Sequence, residues 1–189
     1  DLFLAEIQKS KKVPGRGHCR LGLINRTVLI CILTGAGICL ALACMRIDSL
    51  TLRLPDHGDK IYYLCSMDTG DRFSLTYRHS VEKTLVKGTF EVSERPSILS
   101  VETRMTSVGT GLPNTFSKRT TRDGKWIVVD EGKKEIDSFR FFISPVNDTT
   151  LATPGEEVDL MKIPSGTVVL VGVERLAPIH YVFYWSGSL

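Results

Sequence analysis

From Thr27 to Met45 the chain reads TVLICILTGAGICLALACM, nineteen residues without a charge. As a helix rising 1.5 Å per residue, such a run is about 28 Å long, close to the hydrocarbon thickness of a bilayer. An apolar helix that long must be buried in a protein core or placed in lipid. Its flanks favour lipid. Lys9, Lys11, Lys12, Arg16, Arg20 and Arg26 precede it, opposed only by Asp1 and Glu6, while Arg46 alone follows closely. Positive residues stay on the cytoplasmic side, so residues 1–26 are expected in the cytoplasm and the rest outside, in the periplasm or the extracellular space. The apolar segment has three possible fates. It can remain as a transmembrane anchor. It can be a signal peptide, since Ala41-Leu42-Ala43 has the small-x-small pattern of a cleavage site. It can end in a lipidated Cys44, although Ala41 stands where a lipobox has leucine.

The leader also carries the chain's positive charge. The whole chain sums to +3 and residues 1–26 to +4, which leaves −1 for residues 46–189. A domain so near neutrality lacks the basic footprint of a nucleic-acid binder. Cys19, Cys31, Cys39 and Cys44 lie in the leader or the apolar run, and only Cys65 lies beyond. One cysteine makes neither an intradomain disulfide nor a zinc cluster. Within Ile61-Tyr62-Tyr63-Leu64-Cys65-Ser66 it reads as a buried, inert thiol.

Beyond residue 50 the sequence alternates short apolar runs with turn chemistry. Strands are expected at 51–54, 61–66, 72–79, 85–92, 98–107, 125–129, 139–143, 157–161, 167–173 and 180–185. Between them stand Asp56-His57-Gly58-Asp59, Asp68-Thr69-Gly70-Asp71, Asp123-Gly124, Thr153-Pro154-Gly155 and Pro164-Ser165-Gly166. Asn147-Asp148-Thr149 fits a glycosylation acceptor but reads as a turn. Residues 110–124 are weakly patterned and basic, as an exposed loop would be. No helical period persists over ten residues after Arg46. The fold class is therefore all-β, an antiparallel sandwich or partly open barrel of residues 50–189, preceded by one N-terminal hydrophobic helix.

Two stretches concentrate polar chemistry. The first runs Tyr77-Arg78-His79-Ser80-Val81-Glu82-Lys83-Thr84. It offers a hydrolase constellation of Ser80 as nucleophile, His79 as base and Glu82 as orienting acid. Strand alternation opposes it: Phe73, Leu75, Tyr77, His79 and Val81 share one face, Ser80 and Glu82 the other. No G-x-S-x-G elbow is present. The second stretch, Gly109-Thr110-Gly111-Leu112-Pro113, can form an anion nest or a tight turn; for an anion, Arg78, Lys83 or Arg104 could supply countercharge. It lacks the Lys-Ser/Thr of a phosphate-binding loop. His18, His57, His79 and His180 show no metal-ligand spacing. Neither a catalytic residue, a metal ligand nor a cofactor contact is expected; the candidate site is a polar patch of His79, Ser80, Glu82, Gly109, Gly111 and Pro113. The aromatic clusters Phe139, Phe141, Phe142 and Tyr181, Phe183, Tyr184, Trp185 read as core and cross-strand packing.

Together the two stretches resemble a family of small exported bacterial and archaeal proteins, the domain of unknown function 1850. Its pattern runs His-Ser-Val-x-x-Thr-Pro-Val-x-Glu-x-Phe, then a strand, then Gly-Ala-Gly-Met/Leu-Pro. His79, Ser80, Val81, Thr84, Val86, Phe90, Gly109, Gly111, Leu112 and Pro113 match it. Leu85, Gly88 and Thr110 depart from the pattern, and the glutamate missing at Gly88 weakens any carboxylate-dependent catalysis. The resemblance implies gene neighbourhood with tripartite ATP-independent periplasmic (TRAP) transporters of the TAXI type. The expectation is a membrane-anchored, extracytoplasmic accessory protein of a solute transporter, non-enzymatic rather than enzymatic. It would bind a small solute or a transporter component, either a transporter subunit or its solute-binding protein. The rivals are a periplasmic hydrolase using Ser80 and His79, and a purely structural membrane-surface module with no pocket beside His79.

Overall fold

A computed structural model describes residues 26–107 and 119–187. The chain divides into two compact units, the second running from Ala41 to Leu189. The first described element is helix α1, Arg26–Cys44. None of its residues is buried, so its apolar side chains have no protein core around them. That is the condition of a membrane anchor or a signal helix.

The β unit holds eleven described strands and one described α-helix. Strands β1 (Ile47–Leu54), β2 (Lys60–Ser66), β8 (Ser138–Phe142) and β11 (Val168–Leu176) form one antiparallel sheet, ordered β2-β1-β11-β8. Strands β3 (Arg72–Arg78), β4 (Leu85–Val92), β5 (Ile98–Met105), β6 (Thr120–Asp123), β7 (Trp126–Ile136), β9 (Thr150–Ala152) and β10 (Glu157–Asp159) form the other, ordered β10-β9-β3-β4-β5-β7-β6. Both sheets are open and face each other as a sandwich. One core runs between them: Leu50, Leu52, Val169, Val171 and Val173 from the first sheet meet Phe73, Leu75, Val92, Ile98 and Leu151 from the second. Every second residue of β1 and β11 points into it, as the strand period requires. Phe73 stacks on Phe90 and Phe90 on Phe139, with centroids 5.2 and 4.7 Å apart, so an aromatic row crosses from one sheet to the other.

The turn residues do what their chemistry predicts. Gly58, Gly70, Gly124 and Gly166 all have positive φ, which glycine adopts without a Cβ clash. The two-residue link Gly124-Lys125 joins β6 to β7, with Asp123 paired to Trp126. Gly124 at its first central position suits the hairpin twist.

The expected strand at 180–185 is instead part of helix α2, Pro178–Trp185. Its β-branched and aromatic residues carry strand propensity, but Pro178 occupies the first helical turn, where its missing N–H costs nothing. Tyr181 and Tyr184 then meet one apolar cluster, Ile61, Leu64 and Leu176. Residues 120–123, expected within a loop, form β6. Strand β7 runs beyond the expected 125–129 to Ile136, past a register shift opposite Ser100–Glu102 where Gly132 and Lys133 take left-handed backbone. Strand β9 is too short to show alternation.

Candidate functional site

Strand β3 ends at Arg78, and residues 79–84 turn the chain into β4. His79 N–H donates to Thr84 O at 2.8 Å, and Lys83 N–H donates to His79 O at 2.9 Å. Ser80, Val81, Glu82 and Lys83 thus form a four-residue loop, closed by Lys83 in left-handed backbone at φ 54°. The His79 ring serves this turn: its Nδ1 accepts the Glu82 N–H at 3.3 Å, which leaves the neutral ring's proton on Nε2. No hydrogen bond or ion pair joins the side chains of His79, Ser80 and Glu82 among the described residues. The nucleophile–base contact a hydrolase needs is therefore absent from this turn.

A second loop faces the first. Ser144-Pro145-Val146-Asn147 is a β-turn closed by Asn147 N–H on Ser144 O at 3.0 Å, with proline at its favoured second position. Arg78 clips the two loops together. Its backbone N–H donates to Asn147 O. Its guanidinium donates to Asp148 Oδ2 and to Lys83 O, both at 3.2 Å.

Between these loops and the sheets lies a cleft of about 630 Å³, a volume in the range of small-molecule sites. One wall is the inward face of β3 and β4, whose register sets Tyr77 opposite Val86 and Leu75 opposite Gly88. The other is Phe139, Arg140, Phe141 and Phe142 on the edge strand β8. Ser80, Ser144, Asn147 and Thr149 supply polar lining at the loops. Gly88 is needed for this shape. A Cβ there would lie 3.0 Å from the Phe90 ring, tighter than ordinary packing.

Arg140 is the one charged residue, and no aspartate or glutamate appears, among the described residues that line the cleft; it stands on β8 between Phe139 and Phe141, which face the core. Among the described residues Arg140 has no ion-pair partner. Two of the cations expected to supply countercharge are already engaged: Arg78 with Asp148, and Arg104 with Glu102 and Asp123. Among the described residues, Asn147 Oδ1 is buried without a hydrogen-bond partner, as is Thr84 Oγ1 in the neighbouring turn. Burial pushes the Tyr77 phenol up, keeping it protonated.

The structure thus gathers His79, Ser80 and Glu82 into one turn, and of these only Ser80 lines the cleft. Gly109, Gly111 and Pro113 lie outside the described residues. Sequence reasoning missed Arg140 and Asn147 as site residues. The aromatic run Phe139-Arg140-Phe141-Phe142, interrupted by a cation, is the one signal that points to them. Cys65 is half-buried, free and raised in pKa by burial, in keeping with an inert thiol.

No curated protein and no solved structure matches the chain. Residues 73–160 match the family model described as a domain of unknown function, DUF1850. The matched stretch contains β3 from Phe73 on, β4, both cleft loops and β8.

Proposed function

We propose that the protein is a membrane-anchored, extracytoplasmic β domain that binds a small amphipathic anion between its two sheets. In this reading it is a non-enzymatic accessory of a solute transporter. The carrying observation is the cleft itself: aromatic and aliphatic walls, and beside them Arg140, which has no ion-pair partner among the described residues. Apolar walls favour a hydrocarbon or aromatic body. Arg140 favours a carboxylate, which a guanidinium can hold through two parallel hydrogen bonds. The apolar helix α1 and its basic leader support anchoring with the β unit outside the cytoplasm. The transporter link rests on the family resemblance, with a TRAP-type subunit or its solute-binding protein as partner.

Thermal unfolding of the detergent-solubilised full chain with paired ligands tests the site. Aromatic and medium-chain carboxylates should raise the melting temperature, and their primary amides should not. Equal shifts from acid and amide, or no shift from either, would sink the anion-site reading. Co-purification from native membranes tests the partner. Recovery of the β domain without any transporter component under mild detergent would remove the accessory role.

A further inference from the structure

Helix α2 contains no charged residue; it reads PIHYVFYW. Its inner side is fixed. Tyr181 and Tyr184, three residues apart, pack on Ile61, Leu64 and Leu176, and the Tyr181 hydroxyl shares a 2.7 Å hydrogen bond with Ser49 Oγ. The opposite side presents Ile179, Val182 and Phe183, with Trp185 at the end. Val182 is 61% exposed and Trp185 82%. A surface helix ordinarily turns charged residues away from its core. This one is apolar on the side away from the core too, which marks a surface that meets another apolar phase.

Chain connectivity identifies that phase. Only Met45 and Arg46 separate the end of α1 at Cys44 from the start of β1 at Ile47. Three peptide links reach about 11 Å at most. Ile47 pairs with Leu176, and α2 starts two residues later at Pro178. Helix α2 therefore begins at the end of the sheet where the chain leaves α1. Arg46 closes the last turn of α1, donating to Ala43 O at 3.0 Å and Met45 O at 3.1 Å. A cation at that point suits the boundary between lipid and water.

We propose that α2 is an interfacial helix, with Ile179, Val182, Phe183 and the Trp185 indole resting in the headgroup region of the bilayer that α1 spans. The proposal rests on α1 being a retained anchor. Contact with lipid would come from apolar area and the amphipathic indole. A helix without charge gives salt no ion pair to screen.

The chain has two tryptophans, which makes the test direct. Full-length protein carrying Trp126→Phe is reconstituted into phosphatidylcholine vesicles brominated near the headgroup end of the acyl chains. Trp185 emission should fall by about half, as expected for an indole at interfacial depth, with no change on adding salt. The reciprocal variant, Trp185→Phe, should leave Trp126 unquenched. Val182→Asp, on the exposed side where folding is not at stake, should abolish the quenching. Retention of α1 is read separately, by resistance to alkaline extraction. Unquenched Trp185 in a protein that resists extraction overturns the proposal. So does an emission shift that tracks protein density instead of bromine, which would show a second copy covering α2. Quenching of Trp185 in a protein that alkali extracts would keep the interfacial helix and remove the anchor.

Discussion

Two apolar surfaces of the β unit stay open, and they are built differently. The cleft has apolar walls but a polar border of Ser80, Ser144, Asn147 and Arg140. The outer side of α2 has Ile179, Val182, Phe183 and Trp185 and no charged neighbour on the helix. A solute arriving from water must trade hydration for fixed polar contacts, so its site needs them. A lipid surface makes no such demand. Both surfaces are rich in aromatics, and the polar residues interleaved with them tell the two apart.

The largest effect expected on this pair is structural and falls on the cleft alone. Phe73 is 1% exposed and stacks beneath Phe90, which lines the cleft. Phe73→Ala should cost about 3–5 kcal/mol by removing a buried ring and leaving a cavity. Phe183→Ala, on the outer side of α2, should change stability in detergent by less than about 0.5 kcal/mol. Denaturant unfolding of the two variants side by side measures the contrast. Comparable losses would mean that the α2 ring is covered by protein after all.

Acid sharpens the same contrast. Glu91, on β4, is held by Lys133 and Arg72, and Lys133 first of all keeps its carboxyl below the usual 4.5. Glu174, on β11, is held below the same value chiefly by two hydrogen bonds from Arg53, at 2.7 and 2.8 Å. In the unfolded chain both carboxyls bind their protons more tightly, so protonation favours unfolding. Their contributions are whole above about pH 5 and are lost as pH falls through the lowered folded values. The urea midpoint should be flat above that range and drop below it, and Glu91→Gln should flatten the acid limb. Quenching of Trp185 by lipid should hold down to the pH at which the β unit itself unfolds.

How much of this the residues announce depends on how local the cause is. Turns at Gly58, Gly70, Gly124 and Gly166 were legible because each needs one glycine at one φ. The β3–β4 turn was legible in part: the strand was expected to run to His79 with its alternation carried on to Val81, whereas β3 ends at Arg78 and residues 79–84 turn. Helix α2 was not, since its side chains favour strands and only Pro178 argued otherwise. The cleft was hidden for a different reason. Tyr77, Gly88 and Arg140 come from three strands in two sheets, and no spacing within one segment encodes their meeting. Arg78 and Arg104 looked as available as Arg140 in the sequence; their partners, Asp148, Glu102 and Asp123, are visible only after folding.

A smaller effect separates the two sides of α2. The Tyr181 hydroxyl bonds Ser49 Oγ, which is itself fully buried. Tyr181→Phe should cost about 0.5–1.5 kcal/mol, the net worth of one such bond, with the ring still packed on Leu176. Trp185→Phe should cost nothing measurable in detergent. A loss from Trp185→Phe as large as that from Tyr181→Phe would place the indole against protein.

The smallest effect on folding is expected where the effect on binding should be greatest. Arg140 is exposed and has no ion-pair partner among the described residues, so Arg140→Ala should leave stability within about 0.5 kcal/mol of the parent. If the cleft takes a carboxylate, the same change removes its counter-ion, and the shift in melting temperature that acids produce should vanish. Gly88→Ala approaches the site from the other wall. Its Cβ meets the Phe90 ring at 3.0 Å, so the ring must move, and acids and amides alike should bind less well. The two variants then differ in kind: one erases the preference for acid over amide, the other weakens both. If Arg140→Ala keeps that preference, the charge that selects the ligand belongs to another residue, and the contrast between a polar-bordered cleft and a charge-free helix no longer rests on Arg140.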